Sequence, residues 1–198
     1  ILAVFAGINK AEEMEIEFYY DNVGLTNTVV EEEPTEIVLN DWDGNQYPNY
    51  ESNLWSNPNC WCIWNAKVAN PASDGINASD SSMYYPAHNW LDQTWWYYQA
   101  GMFGFKQLPT SYLQDHKYVY LEYLVGDDVS NSGVLDAGRS PVGDTIQIQL
   151  QFNGASSDDK LVTDVLHEII ITKDNLNTWK AVTLEIPDAV RNSDYTIL

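Results

Sequence analysis

Trp61, Trp96, Tyr98 and the row Gln147, Gln149, Gln151 are the side chains in this chain whose types and spacing suit ligand chemistry. Alternation along a strand turns Trp61 away from Cys60, Cys62 and Trp64, and turns Trp96 and Tyr98 away from Trp95, Tyr97, Phe103 and Phe105. The three glutamines alternate without error against Ile146, Ile148, Leu150 and Phe152. Tyr and Trp rings have an apolar face and a polar edge, and suit ligands that are partly apolar and partly hydroxylated. A sugar ring is such a ligand, since its axial C–H face packs on an aromatic ring while equatorial hydroxyls pair with amides and carboxylates. Trp90, in the same aromatic stretch as Trp96, and Trp55, in the middle of an Asn-, Pro- and Tyr-rich loop, extend the set. The ordinary alternative for the glutamines is a solvent-facing strand surface, and Trp64, Trp95, Phe103 and Trp179 are accounted for as core. With 8 Trp and 13 Tyr in 198 residues, however, some large rings must be exposed, and exposed rings placed together form a recognition surface.

Catalytic chemistry is not indicated, and no catalytic residue is nominated. The chain has no His-Glu-x-x-His, no Gly-x-Ser-x-Gly and no phosphate-binding glycine loop. His88, His116 and His167 are isolated, and with 29 acidic residues any glycosidase-like carboxylate pair can be drawn, so none is informative. Acidic turns such as Asp127-Asp128 and Asp158-Asp159, with Asp188, Asp194 and Glu17 no better placed, leave a structural calcium ion open without a ligand set. Cys60 and Cys62 read as buried thiols, because Cα atoms two apart on a strand stand about 6.5 to 7 Å apart, too far for an unstrained disulfide. Asn77-Ala78-Ser79 matches the glycosylation sequon.

Charge narrows the partners. Asp+Glu 29 against Lys+Arg 9 leaves a net charge of -20, a field that repels phosphate backbones and anionic headgroups. Nucleic acid and membrane insertion are therefore not expected, and polysaccharides, oligosaccharides or other proteins are. The apolar run Ile1 to Ile8 is too short to span a bilayer and reads as a signal-peptide remnant, an edge strand or a strand donated to a neighbour.

The elements that must hold these residues are strands. Glu15–Tyr20, Thr35–Leu39, Cys60–Val68, Thr94–Phe105, Tyr118–Val125, Ile146–Phe152, Leu166–Thr172 and Lys180–Ile186 carry strand patterns. Asp21-Asn22, Asn40–Gly44, Asn70-Pro71, Asp74-Gly75 and the polar run from Gly126 to Pro141 read as turns or loops. The one helical candidate is Asp159–Glu168. Short strands between turn signals predict an all-β fold, a jelly-roll β-sandwich of two antiparallel sheets. Residues 1–34 are expected to lead into a sandwich domain over 35–198.

From Thr35 onward the order of motifs resembles the glycan-binding jelly-roll modules of secreted and cell-surface Bacteroidetes proteins, which are galactose-binding-like. The matching stretches are Val68-Ala-Asn-Pro71, Gly75-Ile-Asn-Ala-Ser79, Trp95–Phe105, Lys117-Tyr-Val119, Ile146–Phe152 and Thr178–Leu184. The Asn-Pro to Gly-Ile-Asn-x-Ser segment is the specific part. The chain departs from the pattern in its Asn45–Cys60 insertion and at Asp127–Pro141. The resemblance implies a non-catalytic, polysaccharide-linked role outside the cell. A second reading, from the residues alone, is a structural subunit of a surface complex or fibre whose aromatics and N-terminal strand contact other proteins.

Overall fold

The computed structural model describes residues 2–8, 14–27, 37–43, 66–73, 75–89, 100–105, 110–130, 140–152 and 162–192. Among the described residues ten strands carry the fold: β1 Leu2–Ile8, β2 Met14–Thr26, β3 Ile37–Asn40, β4 Ala66–Ala69, β5 Ser81–Asn89, β6 Ala100–Phe105, β7 Tyr118–Ser130, β8 Thr145–Phe152, β9 Val162–Ile170 and β10 Lys180–Glu185. Two short helices, α1 Thr110–Asp115 and α2 Asp188–Arg191, join them. The chain is all-β. One sheet runs β6-β1-β8-β9; the other runs β10-β7-β2-β5-β4, with β3 pairing the far half of β2. Every strand pair is antiparallel.

The two sheets share one core, which makes the architecture sandwich-like. Ile146, Ile148 and Leu150 of β8 are buried to 0%, as the alternating pattern requires, and cluster with Ile16, Phe18, Tyr20, Leu121, Tyr123 and Val125 from the other sheet. Burial of such a side chain contributes roughly 1.5–3 kcal/mol. Leu113 of α1 and Val190 of α2 join the same cluster. Trp42, just past β3, meets the Tyr20 ring edge-on at 5.1 Å, and the Lys67 ammonium donates to the Trp42 carbonyl.

Several elements differ from the sequence reading, each for a physical reason. Leu2–Ile8, expected as a signal remnant, an edge strand or a donated strand, is an inner strand, paired with β6 on one side and β8 on the other. The stretch expected merely to lead into the sandwich thus places β1 and β2 inside the two sheets. Asp21-Asn22 does not end its strand: β2 runs on to Thr26 through a bulge, with Asn22 at φ 45. Asn tolerates this left-handed conformation better than most residues. Asp127 and Asp128, placed in a loop by their polarity, lie within β7, which continues to Ser130. From Val162 onward the helical candidate Asp159–Glu168 belongs to β9, where Val162, Thr163 and Val165 pair with Phe152, Gln151 and Leu150; its first three residues lie outside the described ones. β-Branched residues favour that pleated ladder over a helix.

Candidate functional site

The outer face of the larger sheet, the side turned away from the core, holds the most chemistry among the described residues. Because Phe18, Tyr20 and Met83 face the core, Glu17, Tyr19, Asp21, Ser82 and Tyr84 face outward. β7 is buried on both faces. Val119, Leu121, Tyr123 and Val125 point into the core, and Tyr120, Glu122 and Leu124, at 0%, 0% and 1% exposure, are covered from the other side. On that side Asn77 of the β4–β5 connection, residues 70–80, hydrogen-bonds to Glu122 and Asp21, Ser79 to Asp21, and Trp179 to Asn70 of the same connection.

This connection contains the Asn70-Pro71 and Gly75-Ile-Asn-Ala-Ser79 motifs, and it is held down by a buried polar network. Asp21 and Glu122 are direct cross-strand partners on β2 and β7, so two carboxylates stand side by side out of water. The Asn77 amide bridges them, its Nδ2 donating to Asp21 Oδ2 and to Glu122 Oε2, both at 2.8 Å. Asn22 Nδ2 donates to Glu122 Oε2 at 2.7 Å, Asn22 N to Asp21 Oδ1 at 2.8 Å, and Tyr120 Oη to Glu122 Oε1 at 2.6 Å. The Ser79 hydroxyl donates to Asp21 Oδ2. Asn77 Oδ1 accepts from the Ser79 backbone at 3.0 Å and from Asn70 Nδ2 at 2.8 Å. Asn70 Oδ1 in turn accepts from Trp179 Nε1 at 2.9 Å, tying the loop to the segment before β10.

The donors just named are all neutral. They satisfy lone pairs without cancelling charge, so burial pushes the Asp21 carboxyl up to about 6; the hydrogen bonds from Ser79, Asn77 and Asn22 oppose the rise, and the nearby Asp43 adds to it. The folded state therefore holds this proton more tightly than the unfolded chain. Stability is expected to rise as pH falls from about 6 towards about 4, by up to about 3 kcal/mol from this group, and the gain is absent above about 6. Chemical denaturation at pH 4.5 and 7, compared between the parent and Asp21→Asn, measures it: the parent's excess stability at the lower pH should shrink in the variant.

Beside the covered row lies a half-open one. Tyr19 of β2 and Tyr84 of β5 are cross-strand partners, both half-buried, with ring centroids 5.1 Å apart and planes at 47°. Leu124 is the β7 partner of Tyr19 and lies buried next to the pair. Glu17, one row further along β2, packs its side chain over Gly126, where any Cβ would collide with it. Burial, and next the Glu17 charge, push the Tyr19 hydroxyl's pKa up.

The expected ligand residues stand as follows. Trp55, Trp61, Trp90, Trp96 and Tyr98 lie outside the described residues, as do Cys60 and Cys62. Gln147, Gln149 and Gln151 occupy alternate positions of β8, an inner strand, where they pair with Gly7, Phe5 and Ala3 of β1. Asp21, Asn22, Tyr120, Glu122, Tyr19 and Tyr84 were not singled out from the sequence. A lone carboxylate at Glu122 within the apolar run Tyr118–Val125 was the available signal. The sequon asparagine, Asn77, is 0% exposed with both amide protons engaged, so the folded chain offers it to no glycosyl donor. Among the described residues no group of three or more His, Cys, Asp or Glu could hold a metal ion, and no helix is long and apolar enough to cross a membrane. Asp127 is exposed, and Asp188 pairs with Arg191 at 3.3 Å. The chain matches no known protein family, no curated protein and no solved structure.

Proposed function

We propose that this chain is a non-catalytic, extracellular carbohydrate-binding module that recognises a polysaccharide through aromatic side chains carried at one corner of its larger sheet. The observation that supports this is where the aromatic-rich segments attach. Six of the eight tryptophans, Trp55, Trp61, Trp64, Trp90, Trp95 and Trp96, belong to residues 44–65 and 90–99. The first segment rejoins the sheet at Ala66, opposite Tyr84 of β5, and the second leaves from Asn89 at the end of that same strand. Five residues of extended strand span about 17 Å, so both segments are anchored within the footprint of a short oligosaccharide. The other two tryptophans, Trp42 and Trp179, are buried at 5% and 0%.

Strand connectivity supports a jelly roll as the finer description of the fold. β1 pairs with β8 in the smaller sheet and β2 pairs with β7 in the larger, so two successive strands face two other successive strands across both sheets, the pairing expected of a jelly-roll ribbon. Such a frame carries binding residues on connections held by rigid strands.

The test is a glycan panel or affinity-gel screen of the chain beside a Trp61→Ala/Trp96→Ala variant whose fold is checked by circular dichroism. Each anchoring ring is worth roughly 1–2 kcal/mol, so the pair should weaken binding about a hundredfold. Absence of binding to every polysaccharide, together with a multimer in size-exclusion, would favour the rival reading of an assembly subunit. β1 now argues against one basis of that rival, because it completes its own chain's sheet.

A further inference from the structure

We infer that the Tyr19–Tyr84 pair, with Glu17 beside it, forms a second ligand-contacting surface that seats one uncharged hexopyranose ring on the outer face of the larger sheet. That the ligand is a sugar rests on the glycan-binding reading above; where it sits and what charge it tolerates rest on geometry. The two phenol rings come from directly opposed positions on β2 and β5, so the backbone ladder fixes their spacing at 5.1 Å. They are half-buried, unlike the next row, Asp21 and Glu122, which the 70–80 connection closes off at 0% exposure. Tyr19 and Tyr84 thus keep part of their aromatic surface exposed on this face, and that surface is where a ligand can meet them.

Glu17 supplies the polar partner. Gly126 has no side chain, and the Glu17 side chain occupies the space over it, keeping the carboxylate on the same face as the rings, one row on. Glu17 precedes Tyr19 by two residues on β2, which places it on the same face as the pair. A pyranose laid on the rings presents equatorial hydroxyls at its rim, and a carboxylate is an acceptor only, suited to two such donors. The same carboxylate, the acidic row behind it and the net charge of -20 exclude uronate and sulfated sugars. Ala66 pairs with Tyr84, so β4 begins beside this surface, directly after the segment that carries Trp55 and Trp61 in the sequence.

The experiment is isothermal titration of the full chain with cello-, manno- and laminari-hexaose, and with oligogalacturonate as the acidic control. Tyr84→Ala and Glu17→Gln are titrated in parallel. The neutral sugar that binds the parent is expected to bind each variant about tenfold more weakly. Tyr84→Leu, which keeps apolar volume, replaces the alanine variant if that fails to fold, and is expected to show the same loss. Unchanged affinity in both the Tyr84 and Glu17 variants overturns this surface and leaves glycan binding by the tryptophan segments standing. Binding of oligogalacturonate alone overturns it too, again without touching the broader reading. No binding to any sugar overturns both.

Discussion

Asn77→Asp should be the most damaging single substitution in the described part of this chain, costing on the order of 4 kcal/mol or more at neutral pH. The change is isosteric, so packing is preserved and the effect is electrostatic. Asn77 Nδ2 is the donor shared by Asp21 Oδ2 and Glu122 Oε2. An aspartate there replaces two N–H donors by a third buried carboxylate facing the other two. Mutations that leave buried charges without their partners cost about 3–5 kcal/mol, a large part of the 5–15 kcal/mol by which domains are stable. Acid should partly rescue the variant, because protonation removes the added charge and restores one donor. Urea denaturation at pH 7 and pH 4.5 reads both effects. Stability equal to the parent's at pH 7 would show that the Asn77 amide does not bridge the carboxylates.

Trp179→Ala should cost about 4 kcal/mol and Trp179→Phe about 1–2 kcal/mol, a split that separates packing from hydrogen bonding. The indole is fully buried with its Nε1 on Asn70, and removing it leaves a large cavity beside the 70–80 connection. Phenylalanine fills much of that space but donates nothing to Asn70 Oδ1, which Trp179 Nε1 reaches at 2.9 Å. Asn70 Oδ1 keeps its bond from the Ala72 backbone at 3.0 Å, which limits the second loss. The midpoints of thermal and urea unfolding for the two variants are the measurement. Equal losses would mean that the hydrogen bond, and not the ring's volume, holds the segment.

Strands whose two faces meet different surroundings were legible from residue pattern. Ile146–Phe152 alternates apolar and amide residues, and β8 is there with Ile146, Ile148 and Leu150 in the core. Val182, Leu184 and Ile186, the alternate apolar residues of the Lys180–Ile186 strand pattern, are likewise buried. The pattern failed where a distant segment supplies the second face. Asp21-Asn22 reads as a turn because a carboxylate in mid-strand implies water, yet the water is replaced by Asn77 and Ser79, more than fifty residues along. Glu122 is hidden for the same reason. The motif residues Asn70, Asn77 and Ser79 drew attention as turn chemistry, and the contacts they make could not be read locally, since their partners lie on β2, β7 and the approach to β10. The tryptophan and tyrosine ligands nominated from sequence fall outside the described residues, so only their points of attachment bear on them.

The polar network also sets an order of events. Its members come from Asp21, Asn70, Asn77, Glu122 and Trp179, so it closes only after β2, β5, β7 and the residues before β10 have found their places. Contacts between such distant parts of a chain form late, after the entropy of closing the intervening loops has been lost. The 70–80 connection is therefore expected to act as a latch that shuts once the strands beneath it have paired. Substitutions in it are expected to accelerate unfolding and leave the refolding rate nearly unchanged, which the two arms of a denaturant chevron read, and the segment would then govern how long the folded molecule persists.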